Sequence, residues 1–494
     1  VNVRDLVVLS PLVIVAAAGT TAMLAGAFGA RRETLHRLTI AGIGLALVSI
    51  VGVRPYAPRD VTQLLRVDGY AILFLTLLFS ATGILVIVSR PYLRARRCSA
   101  EAYYTLLLFA TVGMGVLACS THFASLFLGL ETLTVSLYVL IGYLRSERAS
   151  LEAAAKYLFL AAMASGFLLF GIALLYAATG ALVLSTVAAS ATGLLGSMDS
   201  PEAIWATAGA LMLLVGFAFK LALVPFHMWS PDVYQGAPAP VTALIATGSK
   251  GAVVAVLLRI LAGVPAGDTT LAPLLAALAV ATMLGGNILA LLQTDVKRLL
   301  AYSSVAHIGY ILVALAAGGT AGREAVVFYV ITYVVATLGA FGVVSVLSAE
   351  AATDADDLAG YRGLGRTRPM LAAVFGIMLL SLAGVPLTGG FLAKFAVLRA
   401  AVVSGRTGLA LAMVLASGIG IYYYLRILVV LYMQPAADDA GAQPAVGQAA
   451  ATSAAPLDSM VALTAVVAIV LAIGLYPEPW LRAVGAAVAS MLGG

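Results

Sequence analysis

The sequence predicts an all-α polytopic membrane protein of about fourteen transmembrane helices, with two inverted five-helix repeats and with helices seven and twelve broken. Three observations lead there. Of 494 residues, 62% are hydrophobic and only 10% are charged, against about 25% charged in a soluble domain. Apolar runs of bilayer length, about 20 residues, recur from end to end. Two of the long runs carry a proline in mid-run, Pro225 and Pro386. The first observation excludes a soluble enzyme. The second excludes a β-barrel, whose strands read as alternating segments of about ten residues.

Apolar run length and loop punctuation place the span cores at 7–29, 35–53, 69–89, 102–119, 122–143, 151–178, 204–225, 239–262, 271–292, 297–317, 324–347, 369–399, 408–433 and 458–476. The first run reads as a span and not as a signal peptide, because no small-residue cleavage site precedes a soluble domain. Loops after odd-numbered spans hold fourteen basic residues, among them Arg90, Arg94, Arg96, Arg97, Lys297, Arg362, Arg366 and Arg368, and the other loops hold seven. That excess marks the cytoplasmic face, so both termini are expected on the outer side. The formal charge of +6 is then loop charge that sets orientation, and nucleic-acid binding is not expected. Cys98 and Cys119 supply no metal or disulfide framework.

The chain divides into N-terminal helices 1–3 (residues 1–100), a first repeat of helices 4–8 (101–262) and a second of helices 9–13 (271–433). A linker (434–457) rich in Ala, Pro and Gln reads as flexible, and helix 14 with a C-terminal tail (458–494) follows. The stretch 350–368, with Asp354, Asp356, Asp357 and three arginines, reads either as a segment along the membrane surface or as a solvated loop.

The repeat follows from the prolines. Proline removes a helical hydrogen bond and clashes with the preceding turn. Backbone groups freed at membrane depth persist only where protein or a water-lined cavity satisfies them. Two such breaks in the two halves of a chain point to an inverted-repeat transporter. Spans seven and twelve are five apart, and an odd repeat forces the two units into opposite topology. The plainer alternative is a pair of ordinary proline kinks.

Lysine usage carries the functional signal. The chain has 28 basic residues, of which five are Lys, and Lys156, Lys220, Lys250 and Lys394 fall inside apolar runs. Arginine stays protonated in proteins, while a desolvated lysine is able to discharge near neutral pH. A buried charge costs about 2.5–3.5 kcal/mol on insertion scales, so each lysine is a candidate for function. Glu131 is the acid placed deep in a run, in SLFLGLETLTVSLY, and the buried lysines are its available partners. His227, just past Pro225, and His307, in AYSSVAHIGYILV, titrate near neutral pH and relay protons. Lys156 lies near a span end and has a snorkelling alternative. His227 and His307 have the alternative of capping freed carbonyls. Ser303, Ser304, Thr242, Thr247 and Tyr310 either hold water between these groups or bond a carbonyl one turn back. Arg259, Arg399 and Arg426, near span ends, read as structural. No phosphate loop, nucleotide fingerprint, HExxH or CxxC is present, so no redox chemistry is expected on this chain.

At these residues the sequence resembles the antiporter-like subunits of respiratory complex I, NADH:quinone oxidoreductase. LVPFHMWSPDVYQGAPAPVTALIATGSKGA (223–252), TDVKRLLAYSSVAHIGY (294–310) and PLTGGFLAKF (386–395) carry the resemblance, which spans roughly helices four to thirteen. A lysine in span twelve separates the chain from the sister subunit that has glutamate there, and fourteen spans separate it from the one with extra spans and a long lateral helix. The resemblance implies proton translocation driven by quinone reduction elsewhere in the complex. Glu131 would pair with Lys220, Lys250 would be the central lysine, Lys394 would lead to the far side, and His227 and His307 would bridge through water. Lys156 would match a further lysine of span six. It also implies FMN and iron–sulfur clusters in partner subunits and no cofactor here. Other antiporter-like subunits, the lipid bilayer, protons and water would be the partners, in a bacterial inner membrane. The alternative is a subunit of a multisubunit Na+/H+ antiporter. A transporter for a small organic substrate would need a polar pocket at the breaks, and a purely structural subunit leaves four buried lysines unexplained.

Overall fold

The computed structural model describes residues 2–196, 198–264, 270–350, 354–434 and 456–493. Of the proposed linker 434–457, residues 435–455 lie outside the described residues, and Leu457 already opens span fourteen. Among the described residues fourteen spans are found. Thirteen are long apolar helices: Val3–Ala27, Arg32–Tyr56, Gly69–Ala95, Ala100–Cys119, Phe123–Ile141, Arg148–Thr179, Pro201–Leu221, Ala239–Ala262, Leu271–Leu291, Val296–Ala317, Gly319–Glu350, Thr407–Tyr432 and Leu457–Leu475. The twelfth is made of two 15-residue halves, Pro369–Ala383 and Gly389–Val403. Spans eight, ten and eleven are enclosed on all sides, while span one leaves Val13 and Met23 exposed and span two Leu45, Val48 and Val51. A helix apolar all round is stable only in such surroundings.

Both breaks occur where the prolines require them. Span seven ends at Leu221 and resumes as the short helix Trp229–Gly236. Ala222, with φ of 58°, turns the chain out of the helix. The Trp229 indole donates to the Phe219 carbonyl over 2.9 Å, and the Val224 amide finds Thr282 Oγ1 at 3.2 Å. Span twelve breaks at Gly384, with φ of 84°, and there the Gly390 amide donates to Ser381 Oγ. A Cβ on Gly390 would stand 1.8 Å from the Ser381 carbonyl oxygen, so only glycine allows the two halves to meet. Spans nine and ten approach as closely: a Cβ on Gly286 would lie 2.6 Å from the Ala306 amide nitrogen. Small residues permit such packing where no hydrophobic drive exists between helices in lipid.

Two sequence expectations change. Lys297, read as a loop residue, lies in the first turn of span ten, 1% exposed, with Asp354 at 2.8 Å and Asp356 at 3.3 Å. Arg96 and Tyr92 of span three also hold Asp354, at 3.1 and 2.7 Å. The stretch after span eleven is therefore neither a surface helix nor a free loop at Asp354. It is drawn inward because a buried ammonium at a helix end needs counter-charges. The C-terminal tail is not a tail. Glu478–Leu492 forms a helix that buries Val484, Ala487, Val488 and Met491 against the start of span three, where the Gly69 amide donates to Ser490 Oγ. Its apolar positions recur every three or four residues, a period that a search for bilayer-length runs does not register.

Replacing Lys297 by Met leaves the buried Asp354 without a principal counter-charge. We expect a loss of about 3–5 kcal/mol, read as a lowered Tm and less assembled subunit on native gels. Asp356, enclosed beside Asp354 and Asp295, is pushed up from 3.8 to about 7 by burial and by those carboxylates, against the pull of Lys297. A folded-state pKa above the unfolded one gives stability that is present at low pH and lost as pH rises between those values. Wild-type Tm should fall from pH 5 to pH 8, and Asp356→Asn should flatten that slope; an equal slope in both would sink this assignment.

Candidate functional site

The site is built on span ten. Ser303, His307 and Tyr310 follow the i, i+4, i+7 spacing of one helix face, with Ser304 beside them. All four are buried in the centre of the fold. Lys250 reaches them from span eight. It follows directly on a π-helical turn, Ile245–Ser249, a distortion frequent at functional sites. Its Nζ donates to Ser304 Oγ over 2.6 Å and lies 5.7 Å from the Tyr234 ring centroid. Ser304 also meets Tyr333 Oη at 2.6 Å and Tyr234 Oη at 3.4 Å.

His307 continues the row. Its Nδ1 pairs with Tyr329 Oη at 2.7 Å and its Nε2 with Tyr424 Oη at 3.1 Å, and Tyr424 bonds Ser303. Its ring lies between those of Tyr333 and Tyr310, with centroids at 5.4 and 5.7 Å. Lys394 stands beyond Tyr310, with Nζ 5.2 Å from that ring. The Lys394 ammonium donates to Ser417 Oγ at 2.9 Å and to the Ala383 carbonyl at 2.8 Å. That carbonyl is the last of the first half of span twelve, so the break supplies an acceptor for the lysine. Asn287, fully buried in span nine, donates to Tyr310 Oη at 2.9 Å and accepts from Tyr423 at 3.0 Å.

The sequence-derived residues therefore fall into groups. Lys250, His307 and Lys394 are brought into one row through hydroxyls and rings. Lys220 sits apart, buried at the end of the first half of span seven, donating to Thr134 Oγ1 over 2.9 Å. Glu131, three residues before Thr134, accepts from Ser165 Oγ at 2.6 Å. The carboxylate and ammonium thus each hold a hydroxyl and are not in direct ion pairing. His227 lies in the span-seven break with both ring nitrogens buried and no side-chain partner, its ring 6.3 Å from that of Tyr302. Lys156 is placed at the arginine-rich side, 41% exposed, with Asp232 at 2.7 Å and Glu152 at 2.9 Å. The hydroxyl alternatives divide: Ser303 and Ser304 bond across helices, while Thr247 only bonds Ala243 one turn back at 2.6 Å.

Tyr329, Tyr333, Tyr424, Asn287, Ser417 and Thr134 belong to the site and were not singled out in the sequence. Their signal is weak, since tyrosine and threonine are ordinary in apolar spans. Arg259, by contrast, forms a buried bidentate pair with Asp68 at 2.9 and 2.7 Å, the geometry of a structural clamp.

Lys220, Lys250 and Lys394 are each held by a hydroxyl, and two of them, Lys220 and Lys394, lie beside helix breaks at membrane depth. The chain belongs to the NADH:quinone oxidoreductase/Mrp antiporter transmembrane family, which matches residues 120–420. NADH-quinone oxidoreductase subunit N of Chromohalobacter salexigens is 44% identical to it over 485 residues, covering 97% of this chain and 98% of that protein. A chain of respiratory complex I from Thermus thermophilus, solved with bound aureothin, superposes with a TM-score of 0.80 at 34% identity, covering 96% of this chain and 99% of that one. A chain of the Mrp complex from a Dietzia species has the same fold, with a TM-score of 0.84 at 23% identity and coverage of 100% and 98%.

Ser304→Ala removes the acceptor of Lys250 and the partner of Tyr333 together. A buried donor left unsatisfied costs about 1–3 kcal/mol. The variant should assemble with a Tm lowered by a few degrees, while Ser304→Thr, which keeps the hydroxyl, should match wild type.

Proposed function

We propose that this chain translocates protons as a membrane subunit of a complex I-type NADH:quinone oxidoreductase, with quinone reduction in partner subunits as the driving reaction. The observation that carries the reading is the bonding of the three enclosed lysines. Lys220, Lys250 and Lys394 are solvated by Thr134, Ser304, and Ser417 with the Ala383 carbonyl. Carboxylate pairing would lock each charge in place. A neutral amine keeps two N–H donors, so its bond to a hydroxyl oxygen survives either protonation state and no carboxylate fixes the charge.

The path runs from Lys220 to Lys250, on to His307 and then to Lys394. Tyr333, Tyr329, Tyr310 and Tyr424 line the second half and orient His307, whose two ring nitrogens each face a phenol. Glu131 sets the affinity of Lys220 for its proton. Movement of the carboxylate toward Lys220 favours the ammonium, and its withdrawal favours release. Like-charge repulsion then discourages two neighbouring lysines from holding protons together, which gives the row a direction once one end is loaded. Lys156 and Asp232 stand at the arginine-rich mouth and supply charge there. The inverted repeat, helices 4–8 against 9–13, is supported by the two breaks, each next to a buried lysine: Lys220 before one and Lys394 after the other. The basic loops favour a cytoplasmic arginine-rich face and both termini outside, in a bacterial inner membrane. FMN and iron–sulfur clusters belong to partner subunits on this reading.

Lys250→Met and Lys394→Met should each assemble. The rate of proton pumping, measured by quench of a pH-sensitive dye in proteoliposomes, should drop at least severalfold in each. Quinone reduction should fall with it, because coupling ties the two. A Lys250→Met enzyme with full pumping would end the proposal. Affinity purification of the tagged chain tests the assembly: flavin and iron–sulfur absorbance with NADH oxidation is the expected result. A colourless preparation with sodium-dependent proton exchange would assign the chain to a cation antiporter instead.

A further inference from the structure

Two cavities meet on the face opposite the arginine-rich loops. One, of about 200 Å³, is walled almost wholly by apolar side chains, from the half-exposed Leu211 at its mouth to Leu221 and Leu223 at the span-seven break. The other, of about 250 Å³, is lined by Arg323, Arg406 and the Gly318–Gly319 turn. Leu261, Val264, Leu271 and Leu275 line both, so the two cavities adjoin, one apolar and one with a cationic end.

Among the described residues no carboxylate faces either guanidinium group. Arg323 donates to the Ala262 carbonyl at 3.5 Å, and Arg406 precedes the first turn of span thirteen. Among the described residues neither is paired with a carboxylate, whereas the comparably enclosed Arg90, Arg96, Arg298 and Arg368 each are. Arginine matches phosphate through paired, charge-assisted hydrogen bonds. An apolar cavity at membrane depth offers water no partners and favours hydrocarbon. One ligand satisfies both ends, and the bilayer supplies it.

The geometry points to a binding site for one anionic phospholipid, with its phosphate on Arg323 and Arg406 and an acyl chain in the apolar cavity. The chain end reaches Leu221, one residue from Lys220. The lipid thereby fills the space beside the span-seven break with hydrocarbon and keeps water from entering there.

The test uses the intact membrane assembly that contains this chain. It is reconstituted with phosphatidylglycerol carrying a diazirine on one acyl chain, irradiated and digested, and adducts are mapped by mass spectrometry. Adducts are expected on the peptides around Leu211–Leu223 and Leu257–Val264, saturating as the labelled lipid is raised. Label from the matching phosphatidylcholine should be at least tenfold lower. Arg323→Gln with Arg406→Gln should cut the phosphatidylglycerol label to that lower level. Leu214→Trp, which fills the apolar end, should remove label near Leu221 and Leu223 without changing the arginines. Equal labelling by the two lipids, a linear rise without saturation, or an unchanged yield in the arginine variant overturns the proposal. Should the double variant fail to assemble, lipid selectivity and saturation on wild type decide it alone.

Discussion

In hydrocarbon a backbone polar group left without a partner costs several kcal/mol, and the rest of this fold depends on that constraint. A continuous helix meets it without help. Spans seven and twelve do not, because proline and positive-φ residues free carbonyls and amides at membrane depth. The partners that repair the breaks come from the site: Trp229 takes the Phe219 carbonyl and Lys394 takes the Ala383 carbonyl. The second case matters more. A helix break that would cost several kcal/mol in lipid becomes an acceptor for a buried ammonium, and each defect offsets the other. Breaking the helix and burying the lysine are one structural decision.

Charge is handled in two ways inside the same protein. Where charge holds helices together, carboxylates meet cations directly. Arg259 with Asp68, and Lys297 with Asp354, are almost fully enclosed, short and geometrically fixed. At the three lysines proposed to carry protons, hydroxyls stand in. Thr134, Ser304 and Ser417 bond the lysines without committing them to one protonation state. Lysine serves in both roles, so residue type alone does not assign the role. The partner does. Lys297 is as buried as Lys250, yet its two aspartates make it a clamp.

Span ten organises the centre because it is enclosed on every side and carries polar residues on one face. Its close approach to span nine, permitted by Gly286, brings Asn287 against Tyr310. Tyr310 in turn lies between His307 and Lys394. Small residues in one helix thus fix the position of a phenol in the next, and through it the spacing of the row. The apolar cavity toward the opposite face lies against the span-seven break at Leu221 and Leu223.

Much of this was legible before any coordinates. Composition fixed the membrane class, run length located the fourteen spans, and Pro225 and Pro386 marked both breaks. The concentration of lysine inside apolar runs marked Lys220, Lys250 and Lys394. These are properties of local sequence: insertion cost and proline geometry act on a segment whatever surrounds it. The partners were not legible. A carboxylate at Glu131 and an ammonium at Lys220 suggest a direct pair, and folding gives each a hydroxyl from another helix. Lys297 reads as a loop cation, and folding encloses it with aspartates 57 residues further on. Tyr329, Tyr333 and Tyr424 read as ordinary apolar-span residues and surround His307. The amphipathic helix Glu478–Leu492 was missed because its burial depends on span three, more than 400 residues away. The sequence by itself determined which groups enter the membrane and where helices break, because those costs are local. Only the tertiary structure decided which of those groups meet carboxylates and which meet hydroxyls, because that depends on the partner each meets across helices far apart in the chain.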